Sequence, residues 1–191
     1  MNEHLAPIFE VVLPELDRSG SKYWVYGGVA IAGIKGKFLR PNLDVDLFVL
    51  EHDYENIIDT IAGFESKLGW RHDDNNADKR NKRDWFAPGQ DEDLLSVVPV
   101  FPTGDRIRFV FGRGSYTSQN VLSSEIRTIA GVSFVTPSAA LIKELFLRKA
   151  HSGPYLLDSR ISKMKTDATV IMDRKEYQNF CTFVESRRKK R

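Results

Sequence analysis

The first eighteen positions carry apolar residues at Leu5, Ile8, Phe9, Val12, Leu13 and Leu16, the three-and-four spacing of a helix with one buried stripe. Pro14 falls inside that stripe and predicts a bend, or an end to the best-formed part. Ser19-Gly20-Ser21 interrupts the pattern. The chain then turns aromatic and β-branched over Tyr23-Trp24-Val25-Tyr26, which reads as a buried strand. That strand stops at Gly27-Gly28, and the compact apolar run from Val29 to Ile34 reads as a helix starting at the glycines. Lys35 to Asn42 is a basic loop with Pro41 near its end. Leu43 to Leu50, LDVDLFVL, alternates and then becomes fully apolar, as a central strand does.

Helical spacing returns over residues 53–68, through Ile57, Ile58, Ile61 and Phe64, with Asp53 placed as N-cap. Gly69 to Arg83 is polar and predicts a mobile loop. Trp85-Phe86, Leu94 to Phe101 and Arg106 to Phe111 predict three strands, the last two joined by the turn Pro102-Thr103-Gly104. Val132 to Val135 predicts a short strand, and Pro137-Ser138 opens a helix through Ala139 to Lys149. After the break at His151-Ser152-Gly153-Pro154, residues 156–171 and 174–186 predict two more helices. This order predicts an α/β (α+β) fold, a mixed sheet flanked by helices with a helical C-terminal part. The whole reads as one domain, with a core at about 20–150, C-terminal helices at about 155–186 and a basic tail at 187–191.

Composition narrows the classes. A hydrophobic fraction of 41% over 191 residues describes a globular chain able to bury its own core. The lone Cys181 excludes an internal disulfide framework and fits a reducing compartment. With no signal-peptide pattern and no long apolar run, the expectation is a cytoplasmic protein with no membrane partner. Net charge is only +2, but basic residues cluster at Lys79, Arg80, Lys82 and Arg83 and again at Arg187 to Arg191. The tail reads either as a solvated terminus or as an arm that contacts phosphates.

Chemistry concentrates between Gly27 and Asp46. Strand periodicity puts Asp44 and Asp46 on one face, with Val45 and Leu47 on the other. Adjacent carboxylates repel each other, and a cation relieves the cost. Magnesium suits them, because it takes one or two carboxylates and completes its shell with water and phosphate oxygens. Paired glycines at a strand-to-helix turn let backbone approach a phosphate at a helix N-terminus. His4, His52, His72 and His151 lack metal-ligand spacing. Cys181 sits between Phe180 and Phe183 as a core residue would, and Gly112-Arg113-Gly114-Ser115 lacks the lysine of a P-loop.

The stretch WVYGGVAIAGIKGKFLRPNLDVDLFVL resembles the active-site segment of the DNA polymerase β-like nucleotidyltransferase superfamily, closest to the small antibiotic, minimal and toxin-type members. A weaker similarity covers Gly131 to Lys143 and the later Lys163-Met164-Lys165-Thr166-Asp167. The resemblance implies magnesium bound by Asp44 and Asp46, and a nucleoside triphosphate held by the Gly27 and Gly28 backbone. It implies transfer of a nucleoside monophosphate to a hydroxyl acceptor: a small molecule, a protein side chain or an RNA end. Lys143 reads either as a phosphate ligand or as a solvated lysine, and Arg40 as a phosphate ligand or a counter-ion to the acids.

The superfamily adds a third carboxylate on a neighbouring strand, and this sequence departs from that pattern. Aligning Leu94 to Val100 with that strand puts Ser96 in the acid's place, and aligning Arg106 to Val110 puts Arg108 there. Asp93 and Asp105 are the nearest acids, with Asp91 and Glu92 also available. Without a third acid, the expectation shifts to a nucleotide-binding pseudoenzyme or a regulatory subunit, and a further reading is an RNA-binding domain that uses no nucleotide.

Overall fold

A computed structural model of the chain describes residues 2–73, 82–109, 115–117, 122–152 and 155–189. Lys79, Arg80, the Gly112-Arg113-Gly114 turn and Lys190-Arg191 lie outside the described residues. Seven strands among the described residues form one mixed sheet, whose spine runs β1 (Tyr23–Tyr26), β2 (Val45–Leu50), β5 (Leu95–Thr103), β4 (Arg83–Phe86) and β3 (Arg71–His72). β2 and β5 are parallel, and every other neighbour is antiparallel. A parallel pair needs a long crossover, and here α3 (Tyr54–Ala62) and α4 (Glu65–Leu68) lie along it. β6 (Arg106–Phe109) folds back on the far end of β5 and carries β7 (Ser115–Thr117). β8 (Glu125–Ile129) and β9 (Val132–Thr136) make a separate hairpin.

Period two assigns the strand residues to two cores. Val25, Val45, Leu47, Val49, Leu95, Val97 and Trp85 pack with the N-terminal helical segment and with Ile57, Ile58 and Ile61 of α3. Trp24, Phe48, Val98 and Val100 face the other way, onto Ile107, Phe109, Leu122 and Leu141. α2 (Gly27–Lys35) is buried on two sides, which is why its apolar residues show no polar face. Val29 and Ala32 meet the first core, while Ala30 and Ile31 lie under α5 (Ala139–His151), α6 (Asp158–Ile171) and α7 (Arg174–Ser186).

Several local details differ from the sequence reading. The N-terminal stripe is a 3₁₀ turn (Glu3–Leu5), a π-helical turn (Ile8–Val12) and then α1 (Leu13–Arg18). Pro14 stands in the first turn of α1, where its missing N–H costs nothing. The wide turn ahead of it, closed by Leu13 N–H donating to Ile8 O, makes room for the ring. The helix expected over 53–68 is broken at Gly63, and the Asp53 side chain makes no cap bond. The polar stretch from Gly69 to Arg83 contains β3 and the start of β4. β9 gains the unexpected partner β8, whose Ile126 is 75% exposed, so its alternation carries little hydrophobic signal. The tail is tied down through Lys189: Arg188 pairs with Asp158 and Glu185, Arg187 donates to Ala150 O, and Lys189 lies over Tyr155.

α7 starts with a reciprocal cap, Glu176 N–H donating to Asp173 Oδ1 and Asp173 N–H to Glu176 Oε2. Asp173→Ala is expected to cost about 1 kcal/mol, read as a lower urea midpoint with an unchanged slope.

Candidate active site

The site begins where β1 hands over to α2. Gly27 takes φ +73°, and a Cβ there would stand 2.4 Å from Asp46 Oδ2. A Cβ on Gly28 would stand 2.5 Å from Asn42 Oδ1 and 2.7 Å from Arg40 Nη2. The glycine pair is therefore required by close approach on two sides as well as by backbone conformation. Its absent side chains seat the Asp46 carboxylate against the first turn of α2, where the unpaired N–H groups favour negative charge.

Strand register sets the rest of the row. Tyr26 of β1, Asp46 of β2, Ser96 of β5 and Asp84 of β4 are successive partners across four strands, so they share one face. Asp44 lies at the head of β2, where Val45 N–H donates to Leu94 O at 2.9 Å. Tyr26 stacks on Phe48 with ring centroids 3.6 Å apart.

The electrostatics follow from crowding. Burial, then the charge of Asp44, pushes the Asp46 carboxyl up to about 7, against the opposing pull of Lys149 and Lys82. Burial, then the charge of Asp93, also raises Asp44, with Lys149 and Lys82 again opposing. Burial and the charges of Asp46, Asp44, Asp84 and Asp93 lift the Tyr26 phenol well above its ordinary value. Asp93 moves the other way. Burial would raise it, but the Ser96 hydrogen bond and the Lys82 charge outweigh that and hold it below the usual carboxylate range.

The two acids expected to bind metal, Asp44 and Asp46, thus come together beside Gly27, and Arg40 lies over Gly28. Arg40 is itself clamped to Asp167 of α6, its Nε and Nη2 donating to the two carboxylate oxygens at 2.9 and 2.7 Å. Lys143 lies elsewhere. It donates to Glu176 at 2.6 Å and lines a hollow with Ile34, Ala139, Ala140, Val170 and Ile171. The lysines whose charge reaches the acids are Lys149, near the C-terminal end of α5, and Lys82, ahead of β4.

Of the third-acid candidates, Ser96 stands beside Asp46 in the parallel strand. Asp93 joins the group through Ser96, whose Oγ lies 2.9 Å from Asp93 Oδ2. Asp105 sits in the turn between β5 and β6, Arg108 lies over the Phe101 ring at the far end of β5, and Asp91 and Glu92 are exposed. Asp84, 3% exposed, was not anticipated. The available signal was an acid placed directly before Trp85-Phe86, on a strand that had to border Leu94 to Phe101. Among the described residues, no three His, Cys, Asp or Glu side chains are grouped to hold a metal by themselves.

Comparison with solved structures shows a fold shared with several nucleotidyltransferases. The antibiotic-resistance factor ANT(2'')-Ia superposes with a TM-score of 0.65 at 17% identity, covering 98% of this chain and 94% of its own. Lincosamide antibiotic adenylyltransferase LnuA, in its lincomycin-bound structure, gives 0.56 at 17% identity over 83% of this chain and 93% of its own. An antigenic nucleotidyltransferase-like protein from Paracoccidioides brasiliensis gives 0.51 at 16% identity over 97% and 89%. No protein-family profile and no curated protein sequence matches the chain.

Two predictions follow from this geometry. Gly27→Ala is expected to cost roughly 1–3 kcal/mol in urea unfolding, because φ is positive and the new methyl meets the Asp46 carboxylate. The second concerns pH. A folded-state value near 7, above the ordinary 3.8, means the native protein holds more protons than the unfolded chain between those values. Stability in metal-free buffer therefore falls as pH rises through that window. Asp46→Asn is expected to raise the melting temperature at pH 8 and to lose that advantage near pH 4, checked by calorimetry across the range.

Proposed function

We propose that this chain transfers a nucleoside monophosphate from a nucleoside triphosphate to a hydroxyl acceptor, at the site built around Asp44 and Asp46. The observation that carries the reading is the seating of that acid pair at the N-terminus of α2, with Gly27 bare of side chain against Asp46. The donor set fits magnesium. Two crowded carboxylates, one pushed up to about 7, gain from a hard cation, and magnesium takes one or two carboxylates and completes its shell with phosphate oxygens and water. Asp44 and Asp46 would hold the metal, and when bound it supplies stabilisation of the charge that develops on the phosphates.

The protein's own groups account for the remaining requirements. The N-terminus of α2 favours an anion, and glycine at 27 and 28 lets Asp46, Asn42 and Arg40 crowd against it, so a phosphate would meet the helix end beside these side chains. Lys149 supplies positive charge near the acids, a role that Lys143 could take only by leaving Glu176. Arg40 reaches the same turn while held by Asp167. The acceptor oxygen attacks the α-phosphorus, pyrophosphate departs, and the hydroxyl proton passes to a base. Asp93 is placed for that role, hydrogen-bonded by Ser96 and carrying the strongest charge that acts on Asp44. Solved neighbours named for antibiotics, together with a tail engaged in its own ion pairs, favour a small hydroxylated acceptor over RNA.

A second reading, a binder of nucleotide that does not turn it over, is favoured by Ser96 standing where a strand-borne third acid would face Asp46. Calorimetric titration with each ribonucleoside triphosphate, with magnesium and then with chelator, tests what both readings share. Magnesium-dependent binding is expected in the wild type and at least tenfold weaker in the folded Asp44→Asn/Asp46→Asn variant. No binding by the folded wild type would overturn both readings. Pyrophosphate release on adding hydroxylated small molecules then separates the enzyme from the binder.

A further inference from the structure

Beside the acid pair lies a second cluster that the transfer reading does not by itself require. Ser96 Oγ lies 2.6 Å from Asp84 Oδ1 and 2.9 Å from Asp93 Oδ2. Lys82 Nζ reaches the same two oxygens, at 2.8 and 3.3 Å. A hydroxyl has one proton and cannot serve both carboxylates at once, whereas an ammonium has three. The lysine can therefore donate to both oxygens, and the serine adds a second donor to one of them at a time.

The two carboxylates are not equivalent. Asp84 is 3% exposed and Ser96 is fully buried, so one end of the cluster is sealed between β4 and β5. The Asp93 side chain is 36% exposed, and Lys82 is 28% exposed. The backbone at the next residue is pinned from both sides: Val45 N–H donates to Leu94 O at 2.9 Å, and Leu94 N–H donates to Trp85 O at 2.7 Å. Asp93 is thus fixed at the mouth of the site, one residue before a locked position. Its charge is the strongest acting on Asp44.

We infer that Lys82, Asp84 and Ser96 form a positioning network whose task is to hold the Asp93 carboxylate, ionised, toward the nucleotide site. Asp84 is the buried anchor, Lys82 and Ser96 are the two clamps, and Asp93 is the group presented. A buried carboxylate is expensive to keep unless it is paired and hydrogen-bonded, and Ser96 and Lys82, which also hold Asp93, give Asp84 both. The network takes the place of an acid on β5 itself: Ser96 occupies the strand position, and the carboxylate is displaced to its entrance. The inference rests on the nucleotide-site reading above.

The test uses the full chain labelled with ¹³Cγ aspartate, the Asp93 signal being assigned by its loss in Asp93→Asn. In metal-free buffer its titration midpoint is expected below the ordinary carboxylate value. Ser96→Ala and Lys82→Met should each raise that midpoint by about 1 pH unit. A midpoint unmoved in both folded variants would overturn the clamp. Lys82→Met, at a part-exposed side chain, keeps the test usable if Ser96→Ala fails to fold. Magnesium-ATP is then added to the wild type. A shift of the Asp93 signal together with those of Asp44 and Asp46 supports presentation toward the nucleotide. Shifts at Asp44 and Asp46 with Asp93 unmoved would overturn that part and leave a network that only joins β4 to β5. No shift at any of the three would instead defeat the nucleotide-site reading, while the metal-free titration still decides the clamp.

Discussion

Like charge held at close quarters on a buried strand is the constraint from which much of this structure follows. Asp44 and Asp46 share a face of β2, and burial removes the water that would screen them. Each surrounding feature lowers that cost in part. The Asp46 carboxylate lies against the N-terminal end of α2, and this is possible because Gly27 has no side chain in the way. Lys149 arrives from α5 and Lys82 from the approach to β4, so cations from two distant segments act on the acids. Even so the opposition is incomplete, since Asp46 still sits near 7. The site retains an unrelieved repulsion between its acids.

The same constraint explains how α2 is built. A helix that must bring its N-terminus to a strand-borne carboxylate lies close to the sheet, and small residues permit that approach. Gly27 and Ala32 fill this role, while Gly33 admits the β8–β9 hairpin, since a Cβ there would stand 3.0–3.1 Å from Arg127 and Phe134. With both of its sides buried, α2 also becomes the element on which the C-terminal helices rest.

Much of this was legible in the sequence because it depends on local pattern. The strand YWVY, the glycine pair, the small apolar helix and the alternation of LDVDLFVL specify β1, α2, β2 and the face shared by Asp44 and Asp46. What escaped was set by pairing between distant segments. Asp84 gains its place from register with Ser96, which no local periodicity encodes. β3 is two residues long and β8 buries only Ile129 while leaving Ile126 exposed, so neither carries a hydrophobic signature of its own. Lys149 and Lys143 lie on one helix at spacing that sequence alone cannot rank; the packing of α5 against α7 sends Lys143 to Glu176. The third-acid question divided in the same way. Alignment found Ser96, while the carboxylate beside it comes from the turn into the strand rather than from the strand.

The bond between Arg40 and Asp167 joins positions 127 residues apart. During synthesis the strands carrying the acid pair leave the ribosome long before Asp167 does, and at roughly 5–20 residues per second that interval lasts on the order of ten seconds. Throughout it Arg40 lacks the partner that orients it over Gly28, and α2 lacks the helices that cover Ala30 and Ile31. The surroundings of β1, α2 and β2 are therefore completed only as the last helices dock. Maturation of the site is in this sense a post-translational event, timed by the emergence of α6 rather than by the folding of the strands that bear its acids.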